Sequence, residues 1–363
     1  MLSDADADAA SSTGATVGAT VGATPGAPAA GAPAGASATR TGGRGRLLRT
    51  RRRGPRGLGL NLFAIPLGLS GLGGAWSAAA TLIGAPGWPE EILFAVAAVI
   101  WAVFSVVYIL QGIVREGSFR ADLRHPGIGP FASYIPVVGI VLAAHYGQYV
   151  PAAAPWIMAL LVAALGIVAA QLFAHWIIGE LNIDSLHPGY FLPVVAGAFI
   201  ASIGLSSVGA HEAAVAAFGV GVFFWLVVGT IVTGRLMTRS QLPDAVKPTL
   251  AVLLAPPATG GIAWFIASGG QPGMIEFAFA GVVVIMLLVQ FLLLPEYRRI
   301  PFSLAFWAFT FPIASTANFA VRWFQASPFD GWMAVSWVVL GLATAIILAI
   351  AAASIRFALK ARR

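Results

Sequence analysis

The stretch FSLAFWAFTFPIASTANF, residues 302–319, is apolar apart from Ser303 and a cluster of small polar residues around a proline: Thr310, Ser315, Thr316 and Asn318 surround Phe311-Pro312. Proline inside a helix removes one backbone hydrogen bond and crowds the preceding turn, so a membrane helix bends or breaks there. The carbonyls it frees need partners from protein, hydroxyl side chains or water. Such a helix belongs on the wall of a pathway, not against lipid. Four further segments of the chain repeat the design.

Of 363 residues, 58% are hydrophobic and only 10% charged, with a mean hydropathy of +0.86. A soluble domain carries roughly a quarter charged residues. The surplus apolar surface must face lipid, and the chain reads as an integral membrane protein. The absence of cysteine excludes a disulfide framework, a thiolate nucleophile and a thiolate metal site.

Residues 1–57 are rich in Ala, Gly, Thr, Ser and Pro and end in a basic run from Arg44 to Arg56. Such a segment lacks the hydrophobic patterning to bury a core, and we expect a disordered cytoplasmic tail. The basic run leads directly into a full-length span, so no cleaved signal is expected. Ser11 and Ser12 are phosphorylation candidates, but a passive solvated tail is the simpler reading.

Residues 58–357 hold ten apolar segments, each long enough to cross ~30 Å of hydrocarbon. They fall at about 60–83, 91–114, 128–149, 151–178, 188–208, 211–233, 248–266, 274–294, 301–324 and 331–357, and residues 358–363 form a short basic tail. The segments are continuously apolar, which excludes a β-barrel. Charge supports the count. With ten spans, 20 of the 21 Lys and Arg lie on one side of the membrane and only Arg322 on the other. The positive-inside rule then puts both termini in the cytoplasm of a cell-membrane protein. The net charge of +7 is therefore topogenic, and no nucleic-acid partner is expected.

The prolines follow the same order. Pro66, Pro136, Pro193, the pair Pro256 and Pro257, and Pro312 fall in the five odd segments, about one helical hairpin apart, while the even segments have no proline beyond their first turn. HPG at 125–127 and again at 187–189, followed by PVVG and PVVAG, reads as a diverged internal duplication. We expect an all-α membrane fold of five hairpins around a pseudo-fivefold axis. Kinked odd helices form an inner ring lining a pore, and even helices form an outer ring facing lipid. Gly68, Gly139, Gly197, Gly260 and Gly261 after the breaks suit close approach of the backbone to that pathway.

None of the 14 acidic residues lies in the middle of a span, and His145 and His175, near span ends, lack a carboxylate at helical spacing. They read as interfacial or packing residues. An intramembrane charge costs at least ~2.5–3.5 kcal/mol and is usually kept for proton relays, ion sites or catalysis. Its absence argues against a proton pump, a carboxylate cation site, a metal centre, a cofactor and an intramembrane enzyme. What remains is hydroxyls, backbone groups, aromatic rings and helix N-termini with a partial charge of roughly +0.5. Such a lining attracts anions weakly and selects them by dehydration cost, favouring nitrate over chloride.

FAIPLGLSGLGGAW at 63–76, HPGYFLPVVAGAFIASIGL at 187–205, LLAPPATGG at 253–261 and FWAFTFPIAST at 306–316 resemble the family of bacterial tellurite-resistance proteins and plant guard-cell slow anion channels. Its relatives include dicarboxylate and malic acid transporters and sulfite efflux pumps. The resemblance runs over roughly residues 60–357. It implies a central pore in each subunit of a homotrimer, closed by a phenylalanine of the ninth helix that matches Phe311. Phe63, Thr259, Thr310 and Ser315 are further candidate pore contacts. The expected function is a gated channel for small inorganic anions. The alternative is a carrier for dicarboxylates, sulfite or tellurite oxyanions. A membrane sensor or assembly protein would need a soluble output domain, for which no segment is apparent.

Overall fold

The computed structural model describes residues 57–114, 118–179, 181–270 and 273–361; the tail assigned to residues 1–57 lies outside them but for Gly57, as do Arg362 and Arg363. Among the described residues, ten helices are long and apolar enough to cross a membrane: α1 (Leu60–Ile83), α2 (Trp88–Val114), α3 (Gly129–Tyr149), α4 (Ala154–Ile178), α5 (Pro188–Ser207), α6 (His211–Thr238), α7 (Lys247–Ala267), α8 (Met274–Arg298), α9 (Leu304–Ala326) and α10 (Trp332–Lys360). The protein is a multi-pass membrane protein.

The odd helices share a construction that the prolines explain. Each enters as a tight 3-10 segment and then widens: Leu60–Phe63 gives way to α-helix at Ala64, Gly129–Ser133 at Tyr134, Lys247–Leu254 at Ala255 and Leu304–Phe309 at Thr310. In α5 the entry turn Pro188–Tyr190 is followed by a π-helical stretch, Leu192–Ala196, before α-helix resumes at Gly197. Pro66, Pro136, Pro257 and Pro312 are each the third residue of the α-helical part. A first-turn residue has no intrahelical acceptor for its N–H, so proline there forfeits no bond. The expected kinks are thus changes of winding at which a new helix starts. Hydroxyls cap the carbonyls nearby: Ser70 Oγ donates to Leu67 O at 3.1 Å, Ser133 Oγ to Pro130 O at 2.7 Å and Thr249 Oγ1 to Val246 O at 2.6 Å. In α9, Thr310 Oγ1 donates to Trp307 O, and Ser315 and Thr316 both donate to Pro312 O.

One expectation about the even helices needs correction. α8 runs on to Arg298, so Pro295 lies inside its last turn, beyond the end assigned from sequence. The prolines mark odd helices only within the membrane core.

Each odd helix packs on the even helix that follows it, giving five hairpins, and the odd helices touch in a closed circuit: α1 on α3, α3 on α5, α5 on α7, α7 on α9 and α9 back on α1. Between 50 and 83% of the most apolar window of each odd helix is buried, against 11–22% for the even helices. The inner and outer rings expected from sequence are present. Side chains such as Leu160, Leu226 and Phe291 leave the even helices exposed for lipid to cover.

The glycines after the junctions act differently from the expectation. A methyl at Gly68 would run into Thr310, at Gly139 into Leu161 and Trp101, at Gly197 into Leu165, at Gly260 into Phe279 and Phe199, and at Gly261 into Phe319. They let neighbouring side chains seat between helices. Other glycines border open space in the ring: Gly71, Gly74 and Gly204 on one side, and Gly127 and Gly189 on the other.

Candidate pathway and its midpoint

Two cavities lie inside the ring of odd helices. The first, of about 180 Å³, is lined by the N-terminal halves of all five, including Asn61, Tyr134, Gly189, Thr249 and Pro312. The second, of about 260 Å³, is lined by their C-terminal halves, including Ser70, Ile140, Gly204, Thr259 and Asn318, with Phe94 of α2. We call them the N-side and C-side cavities. Among the described residues Phe311 alone lines both. It follows the winding junction of α9 and lies against α1, where a methyl at Gly71 would approach its Cδ2 to 2.9 Å. The bare backbone at Gly71 provides the seat for the ring.

Candidates named from sequence separate cleanly. Phe311, Thr259 and Ser315 line the C-side cavity, and Pro312 with Phe311 lines the N-side one. Thr310 lines neither; it is fully buried against Gly68. Phe63 is also elsewhere. It is fully buried in edge-on contact with Phe104 and Tyr108 of α2, at centroid distances of 5.8 and 6.5 Å. Its 3-10 turn aims it outward at the hairpin partner. Pro66, Pro136, Pro193, Pro256 and Pro257 are outside both linings as well, and Pro193 borders an apolar groove with residues of α4 and α6. These prolines set helix winding; they do not form the wall.

The C-side cavity contains polar groups that were not among the candidate pore contacts. Ser70 and Ser77 of α1 line it, with Asn318 and Arg322 of α9 and His145 of α3. His145 has a carboxylate partner after all, contributed by another helix. Its Nε2 is 3.3 Å from Glu91 Oε2, and its ring stacks on Phe94 at 3.9 Å. Residues 311, 315, 318 and 322 keep helical spacing on one face, a signal in the sequence that the choice of candidate pore contacts did not use.

At the N-side mouth the two HPG motifs form the same turn. His125 Nδ1 accepts the Gly127 N–H and His187 Nδ1 accepts the Gly189 N–H, both at 3.1 Å. The Tyr190 hydroxyl ties the two together by donating to Pro126 O at 2.8 Å, and both glycines line the cavity. Burial pushes the His187 imidazole down to about 4, so it is neutral at physiological pH. Among the described residues, no carboxylate lines either cavity.

Ten membrane helices, paired as hairpins around two cavities that meet at a single aromatic ring, place the chain among membrane channels and transporters. A family model described as "Voltage-dependent anion channel" matches residues 57–355, and the chain belongs to that family. It is similar to a tellurite resistance protein TehA homolog of Haemophilus influenzae, with 25% identity over 275 residues covering 74% of this chain and 82% of the relative. It also resembles the S-type anion channel SLAH2 of Arabidopsis thaliana, at 24% identity over 72% of this chain and 50% of the relative. An uncharacterized transporter of Methanocaldococcus jannaschii, MJ0576, is 23% identical over 61% of this chain and 71% of its own length. The chain thus spans only about half of the plant relative.

Proposed function

We propose that the protein is a gated anion channel of the cell membrane, not an enzyme, with Phe311 as the gate. Anions enter the N-side cavity from the cytoplasm, where both termini lie, pass the ring and leave through the C-side cavity. The observation that carries this reading is that, among the described residues, Phe311 alone lines both cavities inside a closed circuit of five helices. An aromatic ring across a narrow apolar passage blocks ions and water until it turns or its helix shifts. Family membership supports anions as the permeant class. Among the described residues no carboxylate lines either cavity, while hydroxyls and helix-end dipoles offer anions shallow attraction. Selection then follows dehydration cost, with nitrate ahead of chloride. We further read the five hairpins as pseudo-fivefold and the assembly as a homotrimer with one pathway per subunit.

The test is current across planar bilayers for wild type and Phe311→Ala, with nitrate, chloride, sulfite and malate in turn. We expect near-silent wild type and a large anion current in the variant, nitrate the most permeant. A silent variant combined with saturable, gradient-coupled uptake of malate or sulfite into vesicles would replace the channel with a carrier. The carrier reading draws on the same two cavities separated at mid-depth.

A further inference from the structure

Arg322 is the one Lys or Arg that the spans place on the C-side face of the membrane, and its side chain lines the C-side cavity with Phe311, Ser315 and Asn318 below it. Its Nε donates to Asn318 Oδ1 at 2.9 Å, its only hydrogen bond among the described residues. Guanidinium carries five N–H donors and is always charged, so most of its capacity is unspent. The carboxylates at this end of the helices are Glu90, Glu91, Glu212, Glu276 and Asp330. None forms an ion pair with Arg322. Glu91 faces His145, and Glu276 accepts the Gly273 N–H at 2.9 Å and the Ser268 hydroxyl at 3.1 Å.

A second observation points to a ligand. Thr259, on the adjacent helix α7, lines the same cavity with 1% of its surface exposed, and its Oγ1 has no hydrogen-bond partner. Buried hydroxyls are almost always paired, so a lone one on a residue that lines a cavity is short of a partner. Asn318 adds an amide nitrogen. Its oxygen is committed to Arg322, which leaves the nitrogen as donor, next to Gly74, where an added methyl would only touch it at 3.5 Å.

We propose that Arg322, Asn318 and Thr259 form an anion-binding subsite in the C-side cavity that takes one small inorganic anion, a halide or a monovalent oxyanion. That this ion is the permeant one rests on the channel reading above; that it binds does not. The guanidinium supplies charge and a planar pair of donors, and the amide and hydroxyl supply the other contacts. An anion arriving from the C-side therefore meets a raised local concentration before it reaches Phe311.

Two readouts separate this inference from the gate. Chloride-35 line broadening on purified full-length protein in detergent, with chloride as the only anion, reports binding without conduction. We expect broadening in wild type and Arg322→Lys and its loss in Arg322→Gln, with each variant checked as a single species by size exclusion. Equal broadening in all three would overturn the subsite whatever the currents show. In bilayers, on the Phe311→Ala background, Arg322→Gln should cut current carried by anions entering from the C-side by about threefold at low salt. The loss should fade at molar salt, where a mouth charge is screened. Current in Phe311→Ala with no change on adding Arg322→Gln would leave the channel intact and sink the subsite as a station for permeant ions.

Discussion

The inner and outer rings are both made of apolar helices, 20–24 residues long in the inner ring and 25–29 in the outer, yet they obey opposite packing rules. Glycines of the even helices, such as Gly166, Gly219, Gly281 and Gly341, have nothing within 4 Å of an added methyl, whereas Gly68, Gly139 and Gly261 of the odd helices would drive one into a neighbour. Gly221 of α6 is an exception, because it faces Phe199 of the inner ring. The difference shows where sequence is constrained. Outer positions need only be apolar, since lipid accommodates any shape. Inner positions must fit particular side chains, because they hold five differently wound helices around open space.

Replacing a core leucine tests that contrast most severely. Leu72→Ala in α1 empties a site packed against Ala314 and Ile347. We expect a loss of about 2–4 kcal/mol of stability. Leu288→Ala in α8, on a half-exposed side chain, should cost under ~1 kcal/mol. Reversible unfolding in mixed micelles measures both, and equal losses would break the comparison.

Glycine substitution comes next. Gly261→Ala, against Phe319, should destabilise by about 1–3 kcal/mol through overpacking. Gly281→Ala should be neutral or gain up to ~1 kcal/mol from helix propensity. Gly71→Ala is the informative intermediate. It should push the Phe311 ring off its seat and raise basal anion current, without matching the loss of the ring. A variant as silent as wild type would show that the ring does not depend on that seat.

Smaller effects sit where the rings are stitched together. Trp307 Nε1 of α9 donates to Ser354 Oγ of α10 at 2.9 Å, and Trp76 Nε1 of α1 to Thr344 Oγ1 at 3.1 Å. Ser354→Ala should cost about 1 kcal/mol. Loss of several kcal/mol in the same unfolding assay would mean that the rings depend on polar ties more than on packing.

Much of this organisation was legible in the chain. Apolar length fixed ten spans, the placement of Lys and Arg supported the count, and proline in alternate spans separated inner from outer helices. Phe311 was singled out by the resemblance of FWAFTFPIAST at 306–316 to the family, not by the prolines. Other features needed three dimensions. Helical winding before each proline depends on packing at the mouth, so a bend was the natural expectation where a 3-10 segment stands. The outward aim of Phe63 follows from its tight turn, which no pattern of residues announced. Arg322 was visible as the lone cation on its side, and its spacing of eleven residues from Phe311 puts both on one helix face. What sequence lacked was the cavity between them. His145 found Glu91 across helices, a pairing that helical spacing cannot reveal.

The central claim is that the ring of Phe311 closes the passage between the two cavities. Single-channel conductance across a size series at this position, Trp, Phe, Leu and Ala, tests it most directly. Conductance that is negligible with Trp and Phe, and then rises through Leu to Ala, is the predicted result. Conductance independent of the side chain at 311, in protein shown to be folded, would contradict the account.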